Sequence, residues 1–437
     1  MDRRLKLLVT FATLSALPLG WASAQVTGSP PAIPAPLPPT VQPPPPVVVP
    51  PPPVVLPPPL WDLRDAQALL SFIQQIGTEG LDPADYDPAG LVIALGSRNP
   101  MLLSQAATVR FNQLSSDLAF GHVRGDDRQD WHIADPDLDP VRQAQLLLAA
   151  LAQHRVPDAL RGLLPSHPQY AALRHALEVT PATETAKINR IRLNMDRWRW
   201  LPRDLGERYI IVNVPAYTAA LVEDGVTTSR HHAVAGKIST PTPQLSAIAT
   251  GVILNPWWEV PKSIEKEVRG KPGYVPFKDS DGTILRWRQP PGPKNALGQL
   301  KFVMPNSKAI YLHDTNARSK FNSQVRAFSH GCIRTENVLA LATKLLNEGV
   351  TIDGTPGGVV WTPDRIQAAL DSQKTVQANF PKPLPVYIVY MSSAALVDGR
   401  IVDYSDIYKR DTRAIAALND KPLPPAKPLT DKDVASR

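Results

Sequence analysis

The chain runs to 437 residues, 43% of them hydrophobic, which is enough to bury a sizeable core and excludes a protein that is disordered throughout. Its formal net charge is +7, from 47 Lys and Arg against 40 Asp and Glu, a modest excess that suits a polyanionic envelope surface and singles out no nucleic-acid partner. A single cysteine excludes an intrachain disulfide framework and any cysteine-cluster metal site.

The first elements concern export. Arg3, Arg4 and Lys6 precede an apolar run from Leu7 to Leu19, followed by Ala22-Ser23-Ala24. This pattern predicts a signal peptide over residues 1–24, cleaved after Ala24. The run falls short of the ~20 residues of a spanning helix and no later stretch reaches that length, so a periplasmic mature chain without a stable membrane span is expected. Residues 25–60 are dominated by proline and valine, as in PPPPVVVPPPPVVLPPP, and read as a polyproline spacer rising ~3.1 Å per residue.

Residues 61–185 carry a helical period and predict a scaffold domain. AQALLSFIQQI places Leu69, Phe72, Ile73 and Ile76 at spacings of three and four, and VRQAQLLLAALAQ repeats the device. GLDPADYDP and PDLDP are turn chemistry between helices, with proline stopping one helix and Asp preparing the next. His122, His132, His154, His167 and His175 fall at no metal-ligand spacing and read as structural or solvated. A connecting helix, KINRIRLNMDRWRWLP, aligns Ile188, Ile191, Met195 and Trp198 and ends at Pro202, with Trp198 and Trp200 read as packing residues.

Beyond Pro202 the period changes to two. RYIIVNVPAYTAALVEDGVTTSRHHAVAG alternates and breaks at Asp224-Gly225, and further strands are expected at GVILNPWWEV, KFVMP, AIYLHD and PVYIVYMSSAALVDGRIVDY, the last folding at Asp398-Gly399. One helix interrupts them, with Thr335 as its expected N-cap, Val338, Leu339, Ala342, Leu345 and Leu346 as its stripe, and Gly349 at its end. The fold class is therefore α+β: helices first, then a mainly β domain over residues 186–412. Residues 413–437 are expected to be a disordered tail.

The chemistry concentrates at FSHGCIR, residues 328 to 334, which holds the only cysteine. Exported proteins usually pair their cysteines, so an unpaired Cys332 is either a small buried hydrophobe or a reactive thiol. AIYLHDT reads as a strand ending in His313, and Cys332 follows in a turn containing Gly331, ahead of the expected helix. Backbone N–H groups, a helix N-terminus and a nearby imidazole would all favour thiolate. His313 suits the part of base, whereas His330 shares a tight turn with the thiol. Neither HExxH nor CxxC occurs, and His231 and His232 would face opposite sides of a strand, so no metal or cofactor is expected.

His313 followed by Ser329-His330-Gly331-Cys332-Ile333-Arg334 resembles the signature of the L,D-transpeptidases with the YkuD catalytic fold. NMDRWRWLP, GKISTPTPQ, NPWWEVPKSI, VYIVYM and DIYKRD are similar to the branch with a helical scaffold ahead of the catalytic domain, so the resemblance covers about residues 61 to 411. Relatives often insert a peptidoglycan-binding module, for which there is no room between Thr180 and Lys187.

The resemblance implies a reaction on peptidoglycan stem peptides. Cys332 would attack the bond between diaminopimelate and the terminal D-alanine, and an amine of a second stem would resolve the thioester to a 3–3 crosslink, with His313 moving the protons. Backbone N–H groups of the Gly331–Cys332 turn would hold the oxyanion, Ser329 and His330 would shape the turn, and Arg334 would either bind a substrate carboxylate or brace the loop. The basic, turn-rich segment of about 263–299 would be a lid, and carbapenems would acylate the thiol. Two other classes stay open: an L,D-carboxypeptidase or an enzyme attaching or releasing wall proteins at the same site, and a non-catalytic wall-binding protein.

Overall fold

The computed structural model describes residues 59–134, 138–347, 360–396 and 398–419. The expected signal peptide, nearly all of the proline-rich spacer, the expected Gly349 helix end and residues 420–437 lie outside the described residues. Among those described, no helix is long and apolar enough to cross a membrane.

The chain begins with helices, as its period implies: α1 (Leu63–Gln75), α2 (Pro88–Gly96), α3 (Pro100–Phe120), then a short strand β1 (Trp131–His132), then α4 (Pro140–Ala152), α5 (Val156–Arg161), α6 (Pro168–Val179) and α7 (Thr185–Arg199). Side chains of Asp62, Asp87, Asn99 and Asp139 accept N–H groups of the first turns of α1, α2, α3 and α4. Proline follows three of these caps, so Pro88, Pro100 and Pro140 open the next helix, where a missing N–H costs nothing. The expectation that proline acts here by stopping the preceding helix is corrected accordingly. Leu69 and Ile73 of α1 meet Leu91, Phe111, Leu114, Leu118 and Leu160 in one buried cluster.

The second part is mainly β. Its elements are β2 (Arg208–Asn213), β3 (Thr218–Glu223), β4 (Val226–Gly236), β5 (Gln244–Leu254), β6 (Trp258–Glu259), α8 (Glu265–Val268), β7 (Val275–Lys278), β8 (Ile284–Gln289), β9 (Leu300–Val303), β10 (Leu312–His313), β11 (Ala327–Ser329), β12 (Ile333–Thr335), α9 (Val338–Asn347), α10 (Pro363–Asp371), β13 (Val376–Val389), β14 (Ser393–Ala395), β15 (Ile401–Asp403) and α11 (Arg410–Leu418). Asp224 and Gly225 both take positive φ, 49° and 76°, the geometry of a two-residue hairpin turn between β3 and β4.

The main sheet runs β1-β5-β13-β2-β3-β4-β12-β10-β9, and pairing of β9 with β5 closes the path from β5 onward into a ring. Closure leaves few free edges and encloses a core that includes Ile210, Val212, Leu254, Phe302, Leu312, Ile333 and Val386, with Leu341 and Leu345 of α9 packed on it. Strands β6, β8 and β7 form a separate small sheet with its own cluster of Val260, Ile264, Val268 and Trp287.

Two elements join the halves. Strand β1 leaves the helical part to pair in parallel with β5, Trp131 opposite Gln244. Helix α7 buries polar residues as well as its apolar stripe: Asp196 accepts the N–H groups of His122 and Val123 and the Trp200 indole N–H, while Arg197 pairs with Asp411 at 2.8 Å.

Two sequence expectations are corrected. Thr335 is the last residue of β12, pairing with Ala233, and α9 starts only at Val338, so Thr335 is not an N-cap. Residues 413–418, expected within a disordered tail, belong to α11, whose Ala414 and Leu418 are buried with Leu193 and Trp200.

Candidate active site

The site is a row of side chains on the face of β9, β10 and β12 that points away from the core. Alternation decides this. Leu300, Phe302, Leu312 and Ile333 are buried in the core, so Lys301, Tyr311, His313, Cys332 and Arg334 share the opposite face. Register aligns them: His313 lies opposite Lys301 on one side and Arg334 on the other, and the Ile333 N–H donates to the Tyr311 carbonyl, setting Cys332 beside Tyr311.

Cys332 is half-buried, in a turn between β11 and β12. Gly331 before it has φ of 111°, and a Cβ there would stand 3.1 Å from Ile310 Cδ1, so glycine is required. Ser329, 3% exposed, spans the turn: its Oγ accepts the Gly331 N–H at 3.1 Å and donates to the Cys332 carbonyl at 2.6 Å. The turn rests on the loop after β4, where Thr242 Oγ1 donates to the Gly331 carbonyl at 2.8 Å and accepts the Gly236 N–H at 2.9 Å. Tyr408 OH donates to the Gly236 carbonyl and accepts the Thr242 N–H, and Arg410 reaches both the Thr242 carbonyl and Asp130 of the helical part. GKISTPT, SHGCIR and DIYKRD, far apart in sequence, thus meet at one turn.

The expectation of a thiol predisposed to ionise is corrected. With β12 and two further residues between the turn and α9, the N-terminus of α9 does not follow directly on the sulfur. Burial pushes the Cys332 thiol up, opposed by the Tyr311 amide and hydroxyl and by the Lys301 ammonium. The Sγ donates toward the Ala309 carbonyl at 3.7 Å, and no hydrogen bond to His313 is formed. The Gly331 N–H, expected among the oxyanion donors, is engaged by Ser329.

His313 is 4% exposed, and burial together with the Arg334 guanidinium pushes its pKa down to about 3. It is therefore neutral near pH 7. Its Nδ1 contacts the Asp314 carbonyl, which can only accept, so Nδ1 carries the proton and Nε2 keeps a free lone pair. The ring stands 5.7 Å from that of Tyr311 at an interplanar angle of 64°.

His330 points elsewhere: its Nε2 meets Glu267 of α8 at 3.2 Å. Trp258 of β6 reaches the Tyr311 hydroxyl. The segment around α8 and β6 therefore overhangs the thiol. The Arg334 side chain makes no hydrogen bond or ion pair among the described residues, and its Nε is buried without a partner.

Tyr311 and Lys301 were not singled out from sequence. Alternation in AIYLHDT, which puts Tyr311 on the face of His313, was the signal for the first; nothing local marks Lys301, whose place depends on pairing between distant strands. Of the scattered histidines, His154 joins Asp62 and Asp65 at 3.3 and 3.0 Å, the one grouping of three potential metal-ligand side chains among the described residues. Asp62 is already the α1 cap, so the cluster has a structural explanation. His231 and His232 do face opposite sides of β4, one buried and one exposed.

Comparison with known proteins finds two family models along the chain. Residues 207–363 match the family model of the L,D-transpeptidase catalytic domain, YkuD, and residues 58–177 match that of a scaffold domain. A Haemophilus influenzae protein provisionally named an L,D-transpeptidase is 30% identical over 304 residues, 63% of this chain and 59% of its own length. Among solved structures, an L,D-transpeptidase from Mycobacterium smegmatis is 16% identical over 42% of this chain and 58% of its own, with a TM-score of 0.22. A mutant Enterococcus faecium L,D-transpeptidase is 13% identical over 44% and 52%, with a TM-score of 0.23.

Proposed function

Because this chain carries the L,D-transpeptidase catalytic domain of the YkuD family behind a scaffold domain, we propose that it is a peptidoglycan L,D-transpeptidase forming 3–3 crosslinks through a thioester on Cys332. The observation that carries the reading is the placement of the chain's one thiol and a buried neutral histidine on the same sheet face, beside a glycine turn with φ of 111°.

In the proposed reaction the donor tetrapeptide enters between the sheet face and the α8 segment, which acts as the lid. The thiol turns from the Ala309 carbonyl toward His313, whose Nε2 takes its proton as sulfur attacks the diaminopimelyl carbonyl. The oxyanion is held by the Cys332 N–H and the Tyr311 hydroxyl, since Ser329 occupies the Gly331 N–H. The C–N bond breaks, D-alanine leaves with the proton from His313, and the thioester remains. An acceptor amine then attacks the thioester, His313 takes its proton, and that proton returns to the departing sulfur.

A thiol pushed up by burial stays protonated until a base and substrate meet it, which limits wasteful oxidation. Action on the wall would require export to the periplasm, a reading that the leader pattern at residues 1–24 supports. The test is mass spectrometry of muropeptides after incubation with disaccharide-tetrapeptide. Crosslinked tetrapeptide–tripeptide dimers are expected; free tripeptide alone would make the protein a carboxypeptidase.

A further inference from the structure

Lys301 and Arg334 flank His313 across three adjacent strands, one residue to each side in register. At the ~4.8 Å spacing of neighbouring strands their backbones stand about 10 Å apart, with both side chains on the face that carries Cys332. Among the described residues neither forms an ion pair. Lys301 lies with its Nζ 5.0 Å from the centre of the Tyr311 ring, and Arg334 leaves its buried Nε without an acceptor. Glu259, the acid whose field reaches Lys301, is held by Arg286 at 2.6 Å.

Two unpaired cations on one partly buried face repel each other and lower the basicity of the histidine between them. Burial costs both as well. A pair maintained against that cost has an anionic counterpart, and the face is open only toward the cleft beneath the α8 segment.

We propose that Lys301 and Arg334 form a carboxylate-reading site, so that the favoured donor presents two negative groups, one on each side of the bond that Cys332 attacks. Recognition of a terminal free carboxylate on the leaving residue, and of a second carboxylate on the residue being acylated, follows from the placement of one cation to either side of His313, with Cys332 two residues before Arg334 along the chain. The inference rests on the donor reading above for the identity of the peptide, though not for the anion site itself.

The site is tested first without any peptide. Because Cys332 is the only cysteine, its alkylation by anionic iodoacetate and by neutral iodoacetamide can be timed in the full chain. The iodoacetate-to-iodoacetamide rate ratio cancels changes in thiol reactivity. Lys301→Gln and Arg334→Gln should each lower it several-fold, and the double substitution on the order of tenfold at low salt. An unchanged ratio in the double variant overturns the proposal.

The second arm uses the tetrapeptide donor and its C-terminal carboxamide. The wild-type protein should favour the free acid through KM, and substitution of the two cations should raise KM for the acid while leaving that for the amide unchanged. Equal effects on both donors count against the site. A wild-type protein that turns over neither donor yet keeps its preference for iodoacetate supports the anion site and removes the donor reading.

Discussion

Ser329 and Cys332 are joined by a hydrogen bond of 2.6 Å from the serine hydroxyl to the cysteine carbonyl, and the same oxygen accepts the Gly331 N–H. The hydroxyl thus fixes the turn from both ends without touching the sulfur. Ser329→Ala should leave two buried backbone groups unsatisfied, at about 1–3 kcal/mol. Acylation should slow on the order of tenfold, with Ser329→Thr recovering most of it. Stopped-flow acylation and urea unfolding of the same variants check both parts.

Thr242 holds the same turn from the opposite side, and through Arg410 it is linked to Asp130 of the helical part. Thr242→Val keeps the shape and removes the bridging hydroxyl. Stability should fall by about 1–3 kcal/mol and D-alanine release should slow, because the Gly331 carbonyl loses its donor. Wild-type kinetics in that variant would separate the loop from positioning of the turn.

His313 predicts two pH effects. With a folded-state pKa near 3 and an unfolded value of about 6.5, it binds a proton more readily when unfolded, so its contribution to stability is complete above about 6.5 and is lost as pH falls toward 3. The loss should approach about 1.4 kcal/mol per pH unit, and His313→Asn should remove that slope from urea-unfolding free energies measured between pH 7 and 5. At neutral pH the same variant should acylate on the order of 10²-fold more slowly. If His330→Ala is the more damaging change, the two histidines have been given each other's parts.

His330 and Glu267 form the visible tie between the nucleophile turn and the overhanging segment. A polar contact this exposed contributes little to folding, so Glu267→Gln should leave thermal unfolding unchanged. It should instead raise KM for the tetrapeptide several-fold while leaving acylation by a carbapenem near wild type, because only the longer ligand needs the segment to orient it. Parallel losses for both ligands would make the segment a structural support.

Much of this was legible because it is local. The 3.6 period of AQALLSFIQQI, the alternation around Asp224-Gly225 and the SHGCIR run each announce themselves within a few residues. What was hidden depends on distance. Lys301 joins the site only because β9 pairs with β10, and the two-residue strand at Trp131 has no period to detect. Thr335 resembled a cap because a three-residue strand and two turn residues lie between Cys332 and α9. Helix α11 carries no clear sequence signal because its apolar stripe is short and leads into a proline-rich end.

The central claim is a covalent one, and trapping the acyl-enzyme tests it most directly. Full-length protein mixed with disaccharide-tetrapeptide and quenched in acid should gain one mass equal to the donor less D-alanine, located by peptide mapping on the fragment containing Cys332. Cys332→Ser should gain none. Release of D-alanine with no adduct on Cys332, or with the adduct on another residue, would contradict the account.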